Sequence, residues 1–395
     1  MCFTAMRNII QPPSRHLIFQ ISSATTCSMV QAPSSALSMT SRPDSRSLFG
    51  RKSLKQLHTK ATHHYSFRSD EEDDDLDGGR NKKPEENQQN RLYLYKSKGQ
   101  HLLTNTRILD SIVRKSHVKP NDVVLEIGPG TGNLTLKLLE AAEKVIAVEV
   151  DKRMVEVLNK RVAEHGFENK LTVICKDALK TEFPPFDLVI ANIPYGISSP
   201  LVAKLVFGTN LFRSATLLLQ KEFSRRLMAE PGDSEFNRLA VNVKLVAEVE
   251  LVMDVSKREF VPPPKVDSSI VIIRPKPKIP NLDLDEWLAF TRTCFGKKNK
   301  SLGAILKQKK KVTELMRLSK RIVNEGSESD EKLFKERIVE VLKTSGYEDK
   351  RSSKMCHEEF LHLLSLFNQA GIYFHDHGNP KPVHDYASIL ATYSS

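Results

Sequence analysis

The sequence predicts an α/β fold, a parallel sheet covered on both faces by helices, followed by a smaller helical domain. Short apolar runs alternate with segments of helical spacing between residues 122 and 273, and a glycine-rich turn follows the first run. Beyond a Pro- and Lys-rich stretch at 275–280, only helical patterns remain. Alternating strands and helices are typical of parallel sheets, whose strands are buried on both faces.

The strands are expected at six runs rich in Val, Ile and Leu. The first run, 122–127, leads into the glycine-rich turn, and the second, 144–149, ends in an acidic residue. The other expected strands are 171–175, 187–191, 215–219 and 268–273, and the expected helices are 134–142, 151–162, 284–295, 302–318, 332–344 and 358–367.

The first 68 residues differ in composition from the rest of the chain. They hold nine Lys/Arg and one acidic residue, Asp44, so they account for +8 of the net charge of +12. A basic, Ser-rich and acid-poor leader is typical of an organellar transit peptide. The alternative is a tail with no targeting role. Residues 69–90 are acidic and polar without apolar periodicity, which predicts a disordered linker.

Two classes of protein are not favoured by the composition. No run approaches the roughly 18 apolar residues of a membrane span, so no membrane partner is expected. The five cysteines are far apart, and there is no Cys-x-x-Cys pair or His/Cys cluster. Neither a disulfide framework nor a metal site is therefore predicted.

The glycine-rich turn, Gly128-Pro-Gly130-Thr-Gly132, is expected to contact a ligand. Glycines let a backbone turn tightly and approach a ligand closely. The G-x-G-x-G spacing differs from the dinucleotide G-x-G-x-x-G and lacks the lysine of a phosphate-binding loop. The pattern therefore argues against a ligand held through pyrophosphate contacts.

Two acidic residues follow the next two expected strands. Glu149 ends the second strand, and Asp177 follows the third. A carboxylate at the first position can accept hydrogen bonds from two ribose hydroxyls, and one at the second can accept the amine of a bound adenine. The alternative is a helix cap and an ordinary turn residue. Their place at successive strand ends favours binding, because ligands bind at this edge of such sheets.

A polar and aromatic motif, Asn192-Ile-Pro-Tyr195, follows the fourth expected strand. Asn192 offers an amide oxygen that can accept from an amino group. Pro194 stiffens the loop and biases Ile193 to an extended backbone, and Tyr195 can stack on a base for about 1–3 kcal/mol. The alternative is an ordinary Asn-Pro turn. The upstream glycines favour a site for an amino group on a base.

These motifs, in this order, resemble the ribosomal RNA adenine dimethyltransferase family. Three more segments resemble its signatures: Gly99-Gln-His-Leu-Leu103, Phe260-Val-Pro-Pro-Pro-Lys-Val-Asp-Ser-Ser269 and Phe295-Gly-Lys-Lys-Asn-Lys-Ser-Leu302. The likeness runs from about Tyr95 to Phe374. Ile193 and Gly196 depart from the usual Leu and Asn/Gln, so position 196 offers no polar side chain. Residues 345–351 and 360–367 resemble the eukaryotic branch, and with the leader the chain is most similar to plant mitochondrial Dim-type members.

The resemblance implies a Rossmann-like sheet of the class I methyltransferase type at 91–276, and a helical rRNA-recognition domain with a tail at 277–395. It implies S-adenosylmethionine as the cofactor, in contact with His101, Leu103, Gly128, Gly130, Glu149, Asp177 and Asn192. Asn192 and Tyr195 are implied as the catalytic residues, and Pro194 and Phe260 as further contacts to the target adenine.

A basic segment beyond the sheet predicts RNA binding. Residues 287–321 hold eleven Lys/Arg against one acidic residue, Glu314. We expect Lys297, Lys298 and Lys300 to contact phosphates, which would supply salt-dependent affinity. The alternative is a solvated helix face.

The expected activity is dimethylation of two adjacent adenosines near the 3′ end of small-subunit (18S-type) mitochondrial rRNA, by a monomer acting on an assembling ribosomal subunit. The alternatives are an Erm-type enzyme acting on large-subunit rRNA and a mitochondrial transcription factor on the same fold. A chloroplast location is the alternative to mitochondria.

Overall fold

The computed structural model describes residues 94–95, 99–323 and 331–376. The predicted transit peptide at 1–68, the predicted linker at 69–90 and the C-terminal tail beyond 376 lie outside the described residues. These three assignments stay predictions.

Seven strands form the main sheet, in the order β4-β3-β2-β5-β6-β9-β7. The strands are β1 (Leu102–Leu103), β2 (Val123–Ile127), β3 (Lys144–Val148), β4 (Leu171–Ile174), β5 (Leu188–Asn192), β6 (Ser214–Gln220), β7 (Ala247–Val255), β8 (Phe260–Val261) and β9 (Ser268–Pro275). Strands β2 to β6 are parallel, whereas β9 is antiparallel to β6 and β7 is antiparallel to β9. β1 and β8 pair separately as a short antiparallel ribbon.

The expectation of a wholly parallel sheet is therefore wrong for its last two strands. All six predicted strands are present, but β7 was not predicted. Its sequence alternates apolar residues with exposed charged ones such as Glu248 and Glu250, so it lacks the continuous apolar run of a buried strand. It lies at the edge of the sheet, where that pattern is tolerated.

Eleven helices are present among the described residues. They are α1 (Thr106–Lys115), α2 (Asn133–Ala141), α3 (Lys152–Glu164), α4 (Ser198–Phe207), α5 (Lys221–Met228), α6 (Arg238–Val246), α7 (Leu284–Phe295), α8 (Leu302–Leu306), α9 (Lys309–Val323), α10 (Glu331–Thr344) and α11 (His357–Gln369). In this part of the chain, none is both long and apolar enough to cross a bilayer.

The single helix predicted over 302–318 is two helices, α8 and α9. α8 ends at Leu306, and Lys307 caps it and pairs with Glu348 at 2.7 Å. The first turn of α9 then begins, because the Gln308 carbonyl accepts from the amides of Lys311 and Val312. The apolar spacing continues through this break, which is why it predicted one helix.

The core has two parts because alternate residues of each central strand face opposite sides of the sheet. Val124 packs with Leu138 of α2 and Leu158 of α3, whereas the neighbouring Leu125 belongs to the cluster on the other face. That second cluster continues through α4 and α6 to the aromatic residues of α7 and α11. The proposed domain boundary at 276/277 lies in an exposed segment, and the apolar core is shared across it.

Parallel pairing brings the carboxyl ends of β2, β3 and β5 to one edge of the sheet. Near this edge β2 carries Glu126, which is only 1% exposed. Its Oε2 has no hydrogen-bond partner among the described residues. Burial, reinforced by the neighbouring Glu149 carboxylate, raises the pKa of Glu126 to about 8.

The buried Glu126 predicts a pH-dependent stability. Between its ordinary pKa of 4.5 and its folded pKa of about 8, the folded chain holds a proton that the unfolded chain has released. The free energy of unfolding should therefore fall as pH rises through this window. Glu126→Gln cannot ionise, so its stability relative to the parent should rise from pH 5 to pH 8, by roughly 3–4 kcal/mol.

Thermal melts of the parent and Glu126→Gln across this pH range measure the effect. Glu156→Gln is the matched control, because Glu156 is exposed on α3. Its melting curve should follow the parent at every pH. A constant difference between Glu126→Gln and the parent from pH 5 to pH 8 would show that Glu126 is ionised in the folded chain.

Candidate active site

A cavity of about 550 Å³ lies at the carboxyl ends of β2, β3 and β5. It is lined by five stretches that are distant in sequence, namely residues 99–103, 126–131, 148–152, 176–178 and 192–195, together with Phe260. Every residue predicted to bind the cofactor or the target adenine lines this cavity. The three predicted phosphate-binding lysines do not.

The glycine-rich turn packs tightly against the rest of the site. Gly128, Gly130 and Gly132 have φ values of 71°, 55° and 88°, which side chains rarely adopt. A Cβ on Gly130 would lie 2.8 Å from Cδ2 of Leu102, and one on Gly128 would lie 3.4 Å from the carbonyl oxygen of Asn192. The left-handed backbone therefore favours glycine at all three positions, and a side chain at Gly130 would also displace the end of the Leu102 side chain.

Glu149 directly follows β3 and is 8% exposed. Its Oε1 accepts from the amide of Asp151 at 2.9 Å, and its Oε2 accepts weakly from the amide of Gly130 at 3.4 Å. Burial raises the pKa of this carboxyl. A carboxylate has about four acceptor sites, so two remain for further donors such as a pair of ribose hydroxyls.

The next carboxylate along the chain, Asp151, is partly exposed and paired with a cation. It caps α3 and accepts from the side chains of Arg153 at 2.6 Å and Gln100 at 2.9 Å. The Arg153 guanidinium lowers the pKa of Asp151 to about 2. This network ties the segment before β1 to the start of α3, on the same side of the cavity as Glu149.

Asp177 follows β4 and lies at the side of the cavity away from β5 in strand order. Its Oδ1 accepts from the amide of Leu179 at 2.9 Å, and its carbonyl accepts from the hydroxyl of Thr181 at 2.7 Å. The carboxylate is thus held in a tight turn. Lys176 and Ala178 also line the cavity.

Asn192 is the last residue of β5, and its side-chain orientation is defined by one hydrogen bond. Its Nδ2 donates to the carbonyl of His101 at 3.1 Å. No hydrogen bond to its Oδ1 is present within the described residues, which leaves this oxygen available to an amino group. His101 is itself held, because its Nδ1 lies 2.8 Å from the carbonyl of Pro262 and must donate to it.

Tyr195 forms the aromatic wall next to Asn192. Its hydroxyl lies 2.9 Å from Oγ of the buried Ser268, and its ring stacks against His101 with centroids 6.1 Å apart. Burial raises the pKa of the phenol, so Tyr195 is neutral at physiological pH. A neutral, immobilised ring is suited to stacking.

Pro194, Phe260 and Leu103 complete this end of the cavity. A Cβ built on Gly99 would lie 3.5 Å from Cβ of Pro194, so the segment before β1 contacts the 192–195 loop closely. Phe260 is 3% exposed and pairs with Leu103 in the β1–β8 ribbon. The carbonyl of Leu103 accepts from Nδ2 of Asn133 at 2.9 Å, which fixes the ribbon to the start of α2.

The basic segment 297–300 lies between α7 and α8, outside the cavity. Lys297 and Lys300 are exposed. Lys298 is half-buried, and its ammonium donates to the carbonyls of Ser234 at 2.8 Å and Phe236 at 3.2 Å. Because its donors are directed at the protein, Lys298 differs from its two neighbours.

Four supporting residues were not predicted from the sequence: Gln100, Asp151, Pro262 and Ser268. Gln100, Pro262 and Ser268 belong to motifs that carried the family resemblance, so a signal was present. Asp151 gave only the signal of a helix cap, two residues after Glu149. The pairs Gln100–Asp151, Pro262–His101 and Ser268–Tyr195 could not be predicted, because their members are 51, 161 and 73 residues apart.

Comparison with known proteins agrees with the geometry. The family model described as ribosomal RNA adenine dimethylase matches residues 92–344. The chain is 62% identical over 354 residues to a mitochondrial ribosomal RNA small subunit methyltransferase of Arabidopsis thaliana. The alignment covers 83% of this chain and 91% of the relative. A second small subunit methyltransferase of the same plant is 44% identical and covers 74% of this chain and 96% of its own length.

A solved structure is similar over the same region. The dimethyladenosine transferase of Plasmodium falciparum superposes with a TM-score of 0.65 and 44% sequence identity, over 69% of this chain and all of that one. The family resemblance seen in the motifs is confirmed by a family model that matches more than half of the chain. This protein belongs to the ribosomal RNA adenine dimethylase family.

Proposed function

We propose that this protein dimethylates N6 of two adjacent adenosines near the 3′ end of small-subunit rRNA in mitochondria, with S-adenosylmethionine as the methyl donor. The observation that carries the proposal is one cavity that holds Glu149 at one strand end and the Asn192–Tyr195 motif at another. Relatives named small subunit methyltransferases support the substrate, and they favour it over an Erm-type or transcription-factor role.

The location and assembly belong to the same proposal. The mitochondrial name of the 62% identical relative and the basic leader both support a mitochondrial location rather than a chloroplast one. We place the protein on an assembling ribosomal subunit, as a monomer, with the helices beyond 277 and the basic segment meeting rRNA.

The residues present fit S-adenosylmethionine. Glu149 retains acceptor sites for two ribose hydroxyls, and Asp177 offers a carboxylate to the adenine amine. His101, Leu103, Gly128 and Gly130 contribute the backbone and wall that surround the rest of the molecule. When bound there, the cofactor supplies an electrophilic methyl group on a positively charged sulfur.

Asn192 would hold the target amine without removing its proton. Its free Oδ1 can accept one amine hydrogen, and a backbone carbonyl of the 192–194 loop can accept the other. Two such hydrogen bonds turn the nitrogen toward a tetrahedral shape and direct its lone pair. Each is worth only about 1 kcal/mol net, so the main contribution is orientation.

Tyr195 would stack on one face of the target adenine, and Phe260 is the candidate for the other face. The Ser268 hydroxyl and the His101 ring hold Tyr195 in place before the base arrives. Such preorganisation reduces the entropy lost on binding. Lys297 and Lys300 would contact phosphates away from the cavity and position the RNA.

Glu149→Ala should weaken S-adenosylmethionine binding, because the ribose hydroxyls lose a charged acceptor. A hydrogen bond to a charged group contributes about 1.5–3 kcal/mol, which is roughly ten- to a hundredfold in affinity. Isothermal calorimetry measures this directly. Glu156→Ala, on the exposed face of α3, is the control and should bind as the parent does. An unchanged affinity in a folded Glu149→Ala protein would contradict the assignment.

Asn192→Ala should abolish most methyl transfer while RNA affinity changes little, because phosphate contacts dominate that affinity. Asn192→Asp keeps an acceptor oxygen and should retain more activity than the alanine variant. Tyr195→Phe loses the bond to Ser268 but keeps the ring, so it should retain most activity, whereas Tyr195→Ala should lose most of it.

Single-turnover transfer of labelled methyl to small-subunit rRNA, with saturating cofactor, tests these variants together. If Asn192→Ala transfers methyl at the parent rate, the orientation mechanism is wrong. If the parent itself transfers no methyl, a pure binding role becomes the better interpretation.

Changing Lys297 and Lys300 together to Ala should lower RNA affinity and flatten its salt dependence. Each lost phosphate contact reduces the slope of log affinity against log salt by about one unit. Lys298→Ala should instead lower the melting temperature, because two carbonyls lose their donor. Filter binding from low to high salt gives the slopes. An unaltered slope in the double variant would show that this segment is a solvated face.

A further inference from the structure

Lys204 lies outside the cavity, on α4, and all its polar contacts go to one turn. Its half-buried ammonium donates to the carbonyls of Ala178 at 2.8 Å, Leu179 at 3.1 Å and Thr181 at 2.5 Å. An ammonium has three protons, so these three acceptors use its full donor capacity. The nitrogen also lies 4.3 Å from the centroid of the Phe183 ring.

The turn that Lys204 holds is the one that carries Asp177. The carboxylate and carbonyl of Asp177 accept from Leu179 and Thr181, two of the residues whose own carbonyls accept from Lys204. Residues 176–178 line the cavity just before these contacts. Loss of the ammonium would leave three carbonyls of this turn without that donor and release the turn.

The N-terminal end of α4 follows the Asn192–Tyr195 loop, which is called the catalytic loop below. α4 begins at Ser198, directly after the short helical turn Tyr195–Ile197 that continues the Asn192 motif. Lys204 lies six residues into the helix, about 9 Å along its axis. The helix therefore connects the Asn192–Tyr195 loop to the Asp177 turn through one cation.

We propose that Lys204 is a positioning residue that fixes the adenine-recognising carboxylate of Asp177 relative to the catalytic loop. The proposal rests on the proposed function, since it assigns Asp177 to the adenine amine of the cofactor. A neutral side chain of the same length cannot supply the three donors. Burial lowers the pKa of Lys204, while the carboxylates of Asp177 and Glu182 oppose that shift and favour the charged form.

The test compares Lys204→Met, Lys204→Arg, Asp177→Ala and the Lys204→Met/Asp177→Ala double variant. Calorimetry measures the binding of S-adenosylhomocysteine and of its analogue in which hydrogen replaces the 6-amino group of the purine. The parent should prefer the amine by about tenfold, the value of one hydrogen bond to a charged group. Lys204→Met should lose most of this preference, and Lys204→Arg, which keeps donors and charge, should retain most of it.

Non-additivity separates positioning from general stabilisation. If Lys204 acts through Asp177, the double variant should bind S-adenosylhomocysteine within about twofold of Asp177→Ala alone. Melting curves establish that each variant is folded at the assay temperature. A Lys204→Met protein that keeps the parent's preference for the amine, or effects that add in the double variant, would overturn the proposal.

The two levels of inference fail differently. If the parent binds S-adenosylhomocysteine and prefers the amine while Lys204→Met behaves identically, only the role of Lys204 is wrong. If the parent binds neither ligand, the cofactor assignment in the proposed function is wrong. If it binds both equally, the assignment of Asp177 to the adenine amine is wrong. The positioning role of Lys204 falls in either case.

Discussion

The hydrogen-bonded pairing of β2 with β3 on one side and β5 on the other is the constraint on which the site depends. Each pair is parallel, so the three strands end at the same edge, and the residues that follow them meet there. The positive φ angles of the glycine turn after β2 let that turn fit between Leu102 and Asn192. The fold thus brings together residues that lie up to 161 positions apart in the sequence, as His101 and Pro262 do.

Around that edge, three carboxylates within 26 residues have different electrostatic environments. Glu126 is buried without full hydrogen bonding, and its raised pKa makes it a neutral acid at moderate pH. Glu149 is buried but accepts two backbone amides, and Asp151 is held ionised by Arg153. All three line the cavity, but Glu149 is the one that is held by backbone amides and still has acceptor sites left for a ligand. Burial and partners, rather than residue type, therefore distinguish the ligand-binding acid from its neighbours.

Much of this arrangement could be predicted from the sequence, because its signals are local. Continuous apolar runs located the parallel strands, and motifs at strand ends identified Glu149, Asp177, Asn192 and Tyr195, all of which line one cavity. What could not be predicted depends on distant partners. The sequence around a lysine in a basic segment does not show whether its ammonium faces water or the protein. The ammonium of Lys298 faces the carbonyls of Ser234 and Phe236. Lys204 gave no signal on its helix for the same reason.

The charged edge strand β7 has a consequence for how copies of this protein meet. A sheet edge exposes unpaired backbone groups to which another chain can add a strand. Here Glu248 is exposed on the edge strand, Glu250 is paired with Arg274 of β9 at 2.6 Å, and the register of β7 with β9 shifts between Leu251 and Met253. Two such edges would bring like charges together on mismatched backbones. The irregular, charged strand thus disfavours edge-to-edge pairing of this sheet with that of a second copy.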